Sequence, residues 1–161
     1  MNYKLIDHQK IFHIGFRVPD LLTAMQEMGA SLGVTWCTPV DSPNQAVWTV
    51  ENGLQELPLK FVYSREDPLH IELLEGPVGS IWDGNEKPGA HHLGVWTNDL
   101  PTETEKFLNA GWELMAASQE PKNGYGVFVY LSGKEGSILE LVSSSLKPRF
   151  ETWWAGGDLQ K

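Results

Sequence analysis

The chain has 161 residues, 41% hydrophobic and 20% charged, and its 12 Lys and Arg against 21 Asp and Glu give a formal charge of −9. A chain of this length buries roughly two thirds of its unfolded surface, so it needs neither disulfides nor a structural metal to fold, and the single Cys37 cannot close an internal bridge. The acidic excess, with no run of Lys or Arg, argues against nucleic acid and anionic membrane surfaces as partners, because both demand basic side chains. No apolar run approaches the roughly 18 residues of a membrane span, and Met1 to Lys10 is polar rather than a basic stretch followed by an apolar core. The expected setting is therefore cytoplasmic.

An internal repeat organises the rest. His13-Ile-Gly-Phe-Arg-Val-Pro-Asp-Leu21 and His92-Leu-Gly-Val-Trp-Thr-Asn-Asp-Leu100 share His, Gly, Asp and Leu at an offset of 79 residues. Each copy reads as a short strand closed by an Asp suited to begin a helix. In chain order, the first copy leads into a helix over Leu21 to Leu32, carrying Leu22, Met25, Met28 and Leu32 before Gly33. Strand-like runs follow at Val47 to Val50, Leu59 to Tyr63 and Leu69 to Leu74. The second copy leads into a helix over Pro101 to Ala110, then strands at Trp112 to Ala116, Gly126 to Leu131 and Ser137 to Val142. Both halves close on matching words, Ile71-Glu72-Leu73-Leu74 and Leu139-Glu140-Leu141-Val142. The expected architecture is α+β, with two βαβββ modules over 10–76 and 88–143 and a C-terminal extension over 144–161.

Alternation along the strands draws attention to His13, Glu72, His92 and Glu140, polar residues where a core position would carry an apolar one. Each module gives one His from its first strand and one Glu from its last. If an approximate two-fold axis relates the modules, the four side chains converge on one point. Two imidazoles and two carboxylates form a mixed nitrogen and oxygen set suited to a divalent first-row metal, not the thiolate set of a structural zinc. Two buried carboxylates without a cation would be costly through repulsion and desolvation. The competing reading, satisfied core histidines with solvated glutamates, serves any one residue better than it serves the symmetric set. By the same alternation Arg17 shares a face with His13, His70 with Glu72, and Trp96 with His92, which makes these three candidate substrate contacts. Arg17 in particular offers a bidentate grip on an anionic group, or a salt bridge at the strand end.

These motifs resemble the vicinal oxygen chelate superfamily, whose members pair two βαβββ modules into a cupped mixed sheet, helices outside, around a metal. The likeness runs over roughly residues 10 to 143. Phe12 to Leu21 is similar to the family's first-strand motif, His70-Ile-Glu72-Leu-Leu-Glu-Gly-Pro77 to the strand of the second ligand, His91-His92-Leu-Gly-Val95 to the third, and Gly136-Ser-Ile-Leu-Glu140-Leu-Val142 to the fourth. The resemblance puts the metal ligands on His13, Glu72, His92 and Glu140, with Co, Ni, Zn, Mn or Fe as the ion. Within the superfamily the sequence is most similar to methylmalonyl-CoA epimerases and to glyoxalase-like proteins of unassigned substrate. It departs from those epimerases in a shorter link between Pro77 and Gly89. The extra base from the middle strands has only Glu51 and Glu56 as candidates, and the tail Lys147 to Gly157 runs beyond the epimerase-like region.

The resemblance implies a metal-dependent isomerase or epimerase that abstracts a proton next to a carbonyl of a small molecule such as an acyl thioester, with Glu140 both fourth ligand and base. It leaves open a glyoxalase I-like lactoylglutathione lyase, an extradiol-type dioxygenase and a non-catalytic small-molecule binding protein. By analogy alone it also implies a homodimer.

Overall fold

The structure is a computed structural model and describes residues 4–159. Among the described residues eight strands and three α-helices run in the order β1 (Ile11–Arg17), α1 (Leu21–Leu32), β2 (Val40–Thr49), β3 (Gly53–Tyr63), β4 (His70–Glu75), β5 (Gly89–Thr97), α2 (Leu100–Asn109), β6 (Glu113–Ala117), β7 (Phe128–Ser132), β8 (Ile138–Ser143) and α3 (Lys147–Trp154). Strand, helix and three strands thus occur twice, in the α+β class expected. The sheet is mixed: β1 pairs parallel with β4 and β5 parallel with β8, while β3 with β4, β6 with β7 and β7 with β8 are antiparallel. No helix among the described residues is long and apolar enough to cross a membrane.

The chain divides into two compact units, one of residues 13–45, 56–91 and 147–159 and the other of residues 4–12, 46–55 and 92–146. In the first unit the Asp20 carboxylate accepts the Thr23 N–H at 2.8 Å and starts α1, and Gly33 ends the helix in a left-handed turn at φ 70°. A second carboxylate, Glu75 at the end of β4, accepts the Leu21 N–H and ties the helix to the sheet. The buried stripe of α1 begins with Leu21 and Ala24 and continues through half-buried Met25 and Met28, the i, i+3, i+4, i+7 spacing of one helical face. Leu22 and Leu32, expected on that face, are 64% and 57% exposed. Leu22 falls one residue off that spacing, and Leu32 is the last residue of the helix before Gly33.

The segment between β4 and β5 is built rather than slack. Trp82 and Asp83 are buried, and the Asp83 carboxylate accepts the N–H groups of Gly79, Asn85 and Glu86, which hold its carboxyl below the usual range. Gly84 lies so close to the chain just after β1 that a Cβ there would sit 2.2 Å from the carbonyl group of Val18.

In the second unit Asp99 caps α2 by accepting the Thr102 N–H at 3.1 Å. Val95, Leu100, Phe107, Val129, Leu131 and Leu141 form its apolar core. Alternation along β7 and β8 sends Val129, Leu131 and Leu141 into that core and leaves Tyr130 and Glu140 for the opposite face. The end of β2 joins this unit, Trp48 pairing with Ala117 and Thr49 with Ala116 on β6.

The C-terminal extension folds as α3 and belongs to the first unit. Its Phe150, Trp153 and Trp154 follow helical spacing, and Trp153 is completely buried, its indole N–H donating to the Thr38 carbonyl at 3.0 Å.

Candidate metal centre

In the first unit the parallel pairing of β1 and β4 sets His13 level with His70 and Gly15 level with Glu72. Gly15 lies two residues from His13 on the same face and puts no side chain beside the glutamate, so carboxylate and imidazole approach. His13 Nε2 lies 3.3 Å from Glu72 Oε2, and the two residues are 0% and 6% exposed. The other ring nitrogen, Nδ1, is 3.3 Å from the Tyr63 hydroxyl, on the residue of β3 opposite Glu72.

The second unit repeats the arrangement. Gly94 on β5 is level with Glu140 on β8, and His92 Nε2 lies 3.3 Å from Glu140 Oε2, both residues buried. Tyr130 on β7 is opposite Glu140, and its ring stands edge-on to His92 at 5.0 Å between centroids and 84° between planes. Each unit therefore buries one His–Glu pair with a tyrosine beside it, and imidazole nitrogen with carboxylate oxygen is the kind of donor that a first-row metal ion takes.

The three expected substrate contacts are placed differently. His70 is buried, its Nδ1–H donates to the Ser64 carbonyl at 2.7 Å and its Nε2 is 3.3 Å from Asp67 Oδ1. Burial holds this imidazole below its usual pKa, and its ring stacks on Trp154 at 3.8 Å and 15°. Arg17 lines a cavity of about 330 Å³ with Phe16, Thr23, Met28 and Pro88, its Nε buried without a hydrogen-bond partner; burial lowers its pKa and the charge of Asp83 opposes that. Trp96 lies face to face on Phe12, centroids 3.8 Å apart. Glu51 and Glu56 are exposed, the first in the turn after β2 and the second within β3. Cys37 is buried and its thiol is pushed up to about 11 by burial, the wrong direction for a nucleophile.

Tyr63 and Tyr130 are the residues that sequence reasoning missed. The signal was present: Phe61-Val62-Tyr63 and Phe128-Val129-Tyr130 are the same tripeptide, each ahead of the strand that carries the glutamate.

Residues 12–130 match the family model of the glyoxalase/bleomycin resistance protein/dioxygenase superfamily. The chain belongs to this superfamily. As a member it shares the fold of several solved structures. A methylmalonyl-CoA epimerase variant from Streptomyces coelicolor, in complex with 2-nitronate-propionyl-CoA, is 17% identical with a TM-score of 0.58 over 84% of this chain and 94% of its own. A hypothetical protein from Bacillus halodurans is 17% identical, TM-score 0.59, over 85% and 95%. A 4-hydroxymandelate synthase variant from Streptomyces coelicolor is 10% identical, TM-score 0.55, over 83% and 48%. At these identities the likeness is one of fold. A comparison with curated protein sequences gives no match. The solved structures that share this fold thus include enzymes of more than one kind.

Proposed function

We propose that this superfamily member is a metal-dependent isomerase or epimerase that removes a proton next to a carbonyl, with His13, Glu72, His92 and Glu140 as the metal ligands and Glu140 also as the base. The observation that carries the reading is the repeated, buried His–Glu pair. Each pair alone offers two ligands, too few for a stable site, and we read the two pairs as the halves of one set of four. Two imidazole nitrogens and two carboxylate oxygens match a first-row ion, which would also offset the cost of burying two carboxylates.

A divalent ion held there would supply Lewis-acid polarisation of a substrate oxygen. The chain's own contribution is to hold the carbonyl beside Glu140, to keep water from the site through the burial of all four ligands, and to accept the proton on the Glu140 carboxylate and return it. The substrate class we favour is an acyl thioester, the class found bound in the related epimerase structures, and the setting we favour is cytoplasmic.

The test is hydrogen–deuterium exchange at the acidic carbon of 2-substituted acyl thioesters, followed by NMR in D2O. The metal-loaded protein should catalyse exchange, and chelation, His13→Ala or Glu140→Gln should abolish it. Absence of metal-dependent exchange across the series would defeat the reading. Turnover of the methylglyoxal–glutathione hemithioacetal, run in parallel, would instead favour the lyase.

A further inference from the structure

Tyr63 has no part in the proton transfer above, yet it sits at the junction of the first His–Glu pair and the C-terminal helix. Its hydroxyl is 3.3 Å from His13 Nδ1, on the side of the ring away from Glu72, and its ring stands at 67° to the imidazole with centroids 5.1 Å apart. Phe150 packs on the same tyrosine edge-on at 5.5 Å, with Trp153 at 5.5 Å and Trp154 at 6.3 Å. The helix bearing these rings is pinned at two points: the Trp153 N–H donates to the Thr38 carbonyl, and the Trp154 carbonyl accepts the Arg65 Nε–H at 3.0 Å.

We propose that Tyr63 is the positioning residue for His13, its hydroxyl holding Nδ1 so that Nε2 faces Glu72, and that the aromatic face of α3 holds Tyr63 in place. The proposal rests on the metal reading of His13 given above. A histidine that binds a metal through Nε2 must carry its proton on Nδ1 and needs an acceptor there; before binding, with the proton on Nε2, the same Nδ1 needs a donor. A phenol hydroxyl is both donor and acceptor, so one side chain serves both states without moving. The contrast lies seven residues along the chain, where His70 Nδ1 faces the Ser64 carbonyl, a group that only accepts and therefore fixes one tautomer. Packing alone does not explain a hydroxyl at this buried position, since Phe would fill the same ring volume. The repeat supplies an independent line of support: Tyr130 holds the matching position opposite Glu140, edge-on to His92.

The experiment compares full-length wild type with Tyr63→Phe by two readouts. The first is Co(II) and Zn(II) affinity from competition with a chromophoric chelator. The second is the 15N shifts of the His13 ring in metal-free protein, which report the tautomer and the hydrogen bond at each nitrogen. Removing a partner of this kind weakens metal binding about 10–100-fold, so Tyr63→Phe should keep a single site of the same stoichiometry with affinity reduced by that factor. Its His13 shifts should move at Nδ1, which loses its hydrogen bond, while Nε2 still faces the Glu72 carboxylate. Phe150→Leu, which keeps the hydroxyl and loosens the seat, should move both readouts in the same direction by less. Equal affinity in wild type and Tyr63→Phe, or a His13 Nδ1 shift that the substitution leaves unmoved, would overturn the proposal. If wild type binds no metal the proposed function fails, while the 15N shifts still decide whether Tyr63 orders the ring. Should Tyr63→Phe fail to fold, Phe150→Leu and the wild-type shifts decide the same point.

Discussion

Replacing Trp153 tests whether the C-terminal helix is part of the folded core or an ornament on it. The side chain is 0% exposed, meets Phe61 at 5.8 Å and Tyr63 at 5.5 Å, and donates its indole N–H to the Thr38 carbonyl. Truncation of a buried Trp to Ala costs about 3–5 kcal/mol from lost burial and the cavity left behind. For a chain of this size each kcal/mol moves the melting temperature by about 2–4 °C, so Trp153→Ala should melt about 6–20 °C lower. Trp153→Phe keeps most of the ring and loses the donor. Thr38 is itself exposed, so water can take over its carbonyl, and the loss should stay near 1–2 kcal/mol, or about 2–8 °C. Calorimetry and urea unfolding would measure both variants, with the urea slope unchanged if only the folded state is affected. Refutation would be Trp153→Ala within about 1 kcal/mol of wild type, far below what a filled core position loses; α3 would then contribute nothing to the fold and could not seat Tyr63.

Two further outcomes follow from other parts of the molecule. The Tyr125 hydroxyl donates to the Glu105 carboxylate, and burial, with that bond second, pushes its pKa up to about 12 from an ordinary 10. A raised pKa means that the folded state holds the proton more tightly, so the stabilisation is complete below pH 10 and drains away as the pH climbs towards 12. Urea unfolding across that window should show wild type losing more stability than Tyr125→Phe, and parallel losses in the two proteins would be contrary to expectation. Metal loading should raise thermal stability: at free ion about 100 times the dissociation constant the gain is about 2.7 kcal/mol, or roughly 5–11 °C. Scanning fluorimetry should find this shift abolished in His13→Ala and retained in His8→Ala, whose ring is on the surface; an undiminished shift in His13→Ala would place the ion elsewhere.

The repeat was legible because it joins a rare residue type to a strict position: His13 and His92 precede a glycine by two residues, and Glu72 and Glu140 interrupt apolar strands. The bounds and cap of α1 were legible, but its buried face was misjudged at Leu22 and Leu32, which look like core residues: Leu22 falls one residue off the spacing of Leu21, Ala24, Met25 and Met28, and Leu32 stands at the helix end. Tyr63 and Tyr130 passed as ordinary aromatics in apolar strands, since nothing in an alternating pattern separates a tyrosine whose hydroxyl has a task from one that fills space. The start of β2, Val40 to Gln45, carries Asp, Ser, Pro and Asn and lacks the apolar alternation by which a strand is recognised. In α3 the i, i+3, i+4 spacing of Phe150, Trp153 and Trp154 was readable, but Pro148 and the short length gave it the look of an irregular tail. The link after β4 seemed a plain spacer because its structure comes from one carboxylate gathering three backbone N–H groups, a device with no periodicity.

That link bears on how this protein can be cut and rejoined. A seam between duplicated halves is the place where an engineer would first open a circular permutant or divide a gene into two fragments. Here the seam is pressed against the Val18 backbone at Gly84 and laced to Asp83, so new termini there would sever contacts that no refolded fragment regains cheaply. The exposed turn at Glu51 and Asn52, inside the first module, is the better place for new termini or an inserted domain. The symmetry written in the sequence and the lines along which the folded chain comes apart are therefore not the same.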